Sequence, residues 1–132
     1  MTVNDIYQKA KLWMFEKPSS NIYDNYAVEI CNKVLAELYD ENNMARMFKG
    51  KLPFIDGVVA HQVSNFTDEI DYEDEYQYDV IPKGMESYFF MDDDLQKKSI
   101  LDVEYNNARV KYQRLVSDDI VNKLWEEAEN AE

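Results

Sequence analysis

The sequence is short of the residues on which many catalytic and binding motifs are built. It contains one cysteine, one histidine, three glycines and three prolines in 132 residues. A lone Cys31 cannot close an internal disulfide, which suits a reducing compartment. His61, without a second histidine, excludes a zinc site of the two-histidine kind. Gly50, Gly57 and Gly84 lie too far apart to cradle a phosphate, and no Gly-x-Ser-x-Gly nucleophile elbow occurs. No apolar run approaches the ~20 residues that span a bilayer. Met1-Thr2-Val3-Asn4-Asp5 lacks the basic start and apolar stretch of a secretory signal, so none is expected.

Basic residues are also scarce. Fourteen Lys+Arg oppose 27 Asp+Glu, a formal net charge of −13. Nucleic acid and anionic membrane both reward cationic neutralisation, so neither is expected as a tight partner. The imbalance has a location: residues 1–66 hold 7 basic and 8 acidic side chains, and residues 67–132 hold 7 and 19. Asp68, Glu69, Asp71, Glu73, Asp74, Glu75 and Asp79 follow one another without an intervening base. Asp92-Asp93-Asp94 forms a second cluster, and Glu126-Glu127-Ala128-Glu129-Asn130-Ala131-Glu132 a third. Such runs repel themselves and hold water, the pattern of a solvated acidic face with a frayed end.

Calcium loops are ruled out by position. Counting from Asp71, the sixth residue is Tyr76 instead of glycine and the twelfth is Pro82 instead of glutamate. Counting from Asp92, the sixth is Lys97. Acid–base catalysis by paired carboxylates requires a dry pocket around one of them, which no local motif marks. The expectation is a protein without metal, cofactor or catalytic residue.

What is abundant is apolar and aromatic: 45% and 14% of residues, including ten tyrosines. This is enough for one folded domain with a core. Val3, Ile6, Ala10 and Trp13 at three- and four-residue spacing predict a first helix over 2–15, capped by Thr2 and ended by Pro18. Ile22, Tyr26, Ile30, Val34 and Leu38 predict a second over 22–40, with Cys31 on its apolar stripe as a buried thiol. After Glu41-Asn42-Asn43 the pattern loosens. Phe54-Ile55-Asp56-Gly57-Val58-Val59 reads as two β-prone pieces around an Asp-Gly hairpin turn, with Val59, His61 and Val63 on one strand face.

Residues 70–80 read as a short helix or an acidic loop. A further helix opens near Pro82, carrying Met85, Tyr88 and Phe89 inward. Leu101, Tyr105, Ala108, Tyr112 and Leu115 give the seam of a long helix from about Leu95. Ser117-Asp118-Asp119 is placed to start a last one, bearing Ile120, Val121, Leu124 and Trp125. The expected architecture is mainly α: a small bundle of four to five helices with one short β-hairpin or irregular β element. Tyrosine is enriched where proteins meet, which makes Tyr72, Tyr76, Tyr78 and Trp125 candidate subunit contacts.

An ordered series runs through the second half. It comprises Tyr72-Glu73-Asp74-Glu75-Tyr76, Val80-Ile81-Pro82-Lys83-Gly84-Met85, Asp92-Asp93-Asp94, and Tyr105-Asn106-Asn107-Ala108 with Tyr112. With Val34-Leu35-Ala36-Glu37-Leu38 upstream, it resembles the small head–tail connector (neck adaptor) proteins of tailed bacteriophages, over roughly residues 25–115. Lys83 stands where the family pattern has an aromatic, and Met85-Glu86 replaces a more apolar pair.

The expected organisation is a connector-like helical domain over 1–116, followed by a C-terminal helix and acidic tail over 117–132 that has no counterpart in the family. The resemblance implies a non-catalytic virion subunit assembled in the host cytoplasm. That subunit would form a homo-oligomeric ring of about a dozen copies between the portal protein and the next neck or tail protein. The seven carboxylates from Asp68 to Asp79 would then face the lumen and repel passing DNA. The alternative from another class is an acidic protein that mimics DNA, or another non-catalytic interaction module, which requires carboxylates along an exposed face.

Overall fold

A computed structural model describes residues 1–91 and 94–130, without the side chains at 118–121, 123 and 127–130. Among these residues the chain forms four α-helices: α1 (Val3–Trp13), α2 (Asp24–Phe48), α3 (Ile81–Phe89) and α4 (Leu95–Asn130). A 3-10 turn covers Val58–His61, and a π-helical turn, Tyr76–Val80, leads directly into α3. No sheet occurs among the described residues.

The start of α1 follows from its first residues. Thr2 and Asp5 form a reciprocal capping box, at 3.1 and 3.0 Å. Two further free amides of the first turn find main-chain partners. Val3 N donates to Asp68 O at 3.0 Å and Asn4 N to Phe66 O at 2.9 Å. With Ile70 N donating to Met1 O, these form an isolated antiparallel bridge between Thr2 and Glu69.

Helices α1 and α2 end in the same hydrogen-bond pattern with different residues. In α2, Gly50 N donates to Met47 O and Lys51 N to Arg46 O, and Gly50 takes φ +80°. In α1, Phe15 N donates to Leu12 O and Glu16 N to Lys11 O, and Phe15 takes φ +60°. The left-handed position of this cap normally goes to glycine, because a Cβ there crowds the backbone. Lys11 is buried beneath that turn, its ammonium donating to Pro18 O and Ser20 O at 2.8 and 3.0 Å.

The second helix runs eight residues beyond the expected Asp40, through Glu41-Asn42-Asn43. Those polar residues serve tertiary partners. Asn42 Oδ1 accepts from Glu73 N at 2.8 Å, and Asn43 takes both main-chain groups of Phe54, at 2.8 and 3.3 Å. Asn32, about three turns earlier on the same face of α2, does the same for Val63, at 2.7 and 2.9 Å. This corrects the expected hairpin. The main chain of Phe54 and Val63 is satisfied by asparagines of α2 instead of by a partner strand. Gly57 enters the 3-10 turn, and Val59 and His61 lie in it, so the shared strand face is not formed.

Helix α3 touches all three other helices and is buried nearly all round, at Ile81, Pro82, Gly84, Met85, Glu86, Ser87 and Phe89. Burying a side chain such as Ile81 or Met85 contributes about 2 kcal/mol. At Gly84 an added Cβ would stand 2.9 Å from the Tyr105 ring and 3.0 Å from Val34 Cγ1. The absent side chain lets α2 and α4 close on α3. Pro82 stands in the first turn of α3, as expected, but the π turn makes α3 continuous with the residues before it. That turn widens the helix where proline would otherwise clash and where its missing N–H leaves a carbonyl unpaired.

Helix α4 is continuous through Ser117, where a separate helix was expected to start. At 36 residues it is roughly 54 Å long. Tyr105 and Ala108 seat its first half in the core, with Tyr112 partly buried against it. Farther along, Leu115, Leu124 and Trp125 are exposed.

Candidate functional site

The acidic stretch folds as a tied strap. Asp68 Oδ2 accepts from the amides of Ser64 and Asn65, at 2.7 and 3.0 Å, and these bonds hold its carboxyl below the usual range. Glu69 meets the N-terminal ammonium at 3.3 Å. Asp71 meets His61 Nδ1 at 2.7 Å, while Asp56 takes Nε2 at 2.6 Å. Burial disfavours a charged His61 ring, but the bonds to Asp56 and Asp71 prevail and raise its pKa. The ring stacks on Phe54 at 3.7 Å. With both nitrogens held by carboxylates, it serves as a clasp between two loops.

Glu73 is the centre of the strap. It is 4% exposed, with Lys51 at 2.8 Å, Lys49 at 3.3 Å and Arg46 at 3.5 Å. Burial pushes its carboxyl up, but the bonds and charges of Lys51 and Lys49 outweigh that and hold it below the ordinary range. Glu75 meets Lys49 at 2.7 Å. Asp79 meets Lys83 at 2.6 Å and accepts from the Tyr112 hydroxyl at 2.7 Å. Only Asp74 of the seven is exposed without an ion pair among the described residues. Six of the seven carboxylates are bound to cations or main chain within the fold, while Glu69, Asp71 and Asp74 remain exposed to solvent.

The candidate contact residues divide in the same way. Tyr72 and Tyr76 are core residues, 2% and 1% exposed. Tyr72 donates to Leu35 O, and Tyr76 packs against Tyr112 with ring centroids 6.1 Å apart. Neither ring reaches a surface that a second subunit could touch. Tyr78 is exposed beneath the Lys9 ammonium at 4.8 Å, and Trp125 is 67% exposed. Of the other acidic clusters, Asp92 and Asp93 lie outside the described residues, as do Ala131, Glu132 and the side chains at 127–130. Cys31 is buried as expected, and burial pushes its thiol up to about 12.

A site that no sequence motif marks lies beside α3. A cavity of about 370 Å³ opens between the end of α1, α3 and the start of α4. Trp13, Met14 and Phe15 form one wall, Phe90, Ile100 and Leu101 another, and Lys83, Glu86, Lys97 and Glu104 supply the charge. Glu86 is 3% exposed, and its carboxyl has no hydrogen-bond partner among the described residues. Burial, with a smaller push from Glu104 against the pull of Lys83, raises its carboxyl to about 7. No cluster of three or more metal-ligating side chains occurs among the described residues. In sequence the only signal is Glu86 itself, an acidic residue among Met85, Tyr88, Phe89 and Phe90.

Comparison with known proteins identifies no relative: no family model, no curated protein and no solved structure matches the chain. No helix among the described residues is long and apolar enough to cross a membrane.

Proposed function

We propose that the chain is a non-catalytic assembly subunit, a head–tail connector that forms a ring in the neck of a tailed bacteriophage. The observation that carries this reading is the second half of α4. A helix roughly 54 Å long is anchored by Tyr105, Ala108 and Tyr112 and then continues with Leu115, Leu124 and Trp125 in solvent. A monomer gains nothing by extending an apolar-bearing helix away from its core, whereas a neighbouring subunit can bury those side chains. The ordered tyrosine and acidic series supports the assignment to the neck. In this reading the net charge of −13 keeps the ring from adhering to DNA as a long-range field. The acidic stretch itself mostly braces the subunit.

The test is the assembly state of the purified chain, alone and mixed with portal-bearing capsids, followed by light scattering and electron microscopy. Rings of about a dozen copies that dissociate in the double variant Leu124→Ser, Trp125→Ser are expected. Both side chains are exposed in the single chain, so the variant retains the fold. A chain that stays monomeric with and without the portal overturns the proposal.

A further inference from the structure

The cavity beside α3 joins features that the assembly reading does not use. Glu86 is a buried carboxyl, and the other buried carboxylate among the described residues, Glu73, has three cations around it. Among the described residues, three side-chain atoms are sealed from water without a partner: Glu41 Oε2, Asn42 Nδ2 and the Tyr105 hydroxyl. The Glu86 oxygens are not among them, and the residue lines the cavity, so its free acceptors open onto that space. Buried carboxyls are rarely left unpaired, because the lost hydration is not replaced.

Neither lysine of the cavity wall forms an ion pair with Glu86, although Lys83 pulls on its carboxyl from a distance. The Lys83 ammonium is held by Asp79 at 2.6 Å, and the Lys97 ammonium sits over the Phe90 ring at 5.0 Å. Glu104, facing from α4, adds a second negative charge, and the α1 wall of Trp13, Met14 and Phe15 contributes none. Two of the rings already attract ammonium groups, since Lys9 lies over Trp13 at 5.2 Å as Lys97 does over Phe90. Electron-rich ring faces and a desolvated carboxyl favour the same kind of guest.

The mouth of the cavity carries a second anomaly. Phe15 is 93% exposed and occupies the left-handed cap position that α2 gives to Gly50. A bulky residue there costs backbone energy and gains almost no burial within the chain. What it gains is an aromatic ring at the rim.

We propose that this cavity is a binding site for a small amphipathic organic cation, an ammonium or guanidinium group on an aryl or alkyl body. The cationic group pairs with the Glu86 carboxylate, and the body lies among Trp13, Phe15, Phe90 and Ile100. The volume suits a compact guest. Pairing requires ionised Glu86, so affinity rises with pH across the range in which that carboxyl loses its proton. Binding near neutral pH therefore releases a proton. This site is independent of ring assembly, and either proposal stands if the other fails.

Phenethylammonium is a suitable probe, with 2-phenylethanol as its neutral counterpart, each titrated by calorimetry and by NMR shifts. Saturable one-site binding of the cation at pH 7.5 is expected. Affinity should fall about tenfold or more at pH 5.5 and by a similar factor in Glu86→Gln. Phe15→Gly should bind several-fold more weakly while melting at a higher temperature, a combination that a purely structural Phe15 would not produce. Absence of saturable binding, equal binding by Glu86→Gln, or equal binding of 2-phenylethanol each overturns the proposal.

Discussion

Glu73 and Glu86 lie 13 positions apart in one continuous stretch of chain, and both are almost fully hidden from solvent. Glu73 is ringed by Lys51, Lys49 and Arg46, and its carboxyl stays charged well into acid. Glu86 has apolar and aromatic neighbours, a like charge at Glu104 and no hydrogen bond to its carboxyl, which holds its proton to about pH 7. The same residue at the same depth is a brace in one place and a chemically unfinished group in the other. Burial alone therefore does not fix the chemistry of a carboxylate; the partners that the fold sets beside it do.

The largest test of this contrast is Glu86→Gln followed against pH by chemical denaturation. The folded chain holds the Glu86 proton more tightly than the unfolded chain, whose glutamate titrates near 4.5. Stability is therefore lost as pH rises from about 4.5 to about 7 and stays lost above. Glutamine carries no such penalty. The variant should match the parent below pH 4.5 and exceed it by up to about 3 kcal/mol at pH 8. A flat difference across that range would mean that Glu86 is not desolvated.

Glu73→Gln should do the reverse. Its folded carboxyl titrates below the unfolded value, so its contribution is present above about pH 4.5 and disappears as pH falls through the folded value. At pH 7 the variant should lose about 2 kcal/mol, less than a fully enclosed pair would, because Lys49 and Lys51 can turn to water. Thermal melts at pH 7 and pH 3 separate the two regimes, and a loss that persists at pH 3 would count against the ion cluster.

The smallest effect extends the contrast to hydroxyls. Tyr72 donates to Leu35 O, whereas the buried Tyr105 hydroxyl has no partner. Tyr72→Phe should cost about 1 kcal/mol, and Tyr105→Phe should be neutral or slightly stabilising. Equal costs would show that the two hydroxyls share an environment.

The helices were legible because each writes its own period. Val3, Ile6 and Ala10 place α1 with its Thr2 cap, and Leu101, Tyr105, Ala108 and Tyr112 place the packed half of α4. The hairpin failed for a reason visible only in three dimensions. Asp56-Gly57 has the local chemistry of a tight turn, but Asn43 and Asn32 on α2 capture Phe54 and Val63 first. The same competition hid the far end of α2, where Asn42 and Asn43 look like helix breakers until their tertiary bonds are seen. The acidic stretch was legible only in part. Glu69, Asp71 and Asp74 do face solvent, but the cations of its other carboxylates come from Arg46, Lys49, Lys51 and Lys83, three of them more than 20 residues upstream, so a local charge count misses that pairing.

The sequence by itself determined a mainly helical chain, the positions of its apolar seams, a buried Cys31 and a strongly negative total charge. These are properties of residue identity and of the 3.6-residue period, and they hold whatever the neighbours are. Tertiary structure alone decided which carboxylates are answered and which is not, that Tyr72 and Tyr76 face inward, and that Glu86 meets aromatic walls. Pairing and desolvation depend on distances between residues far apart in the chain. Glu73 and Glu86 have the same formula, and their different chemistry comes entirely from what the fold sets beside them.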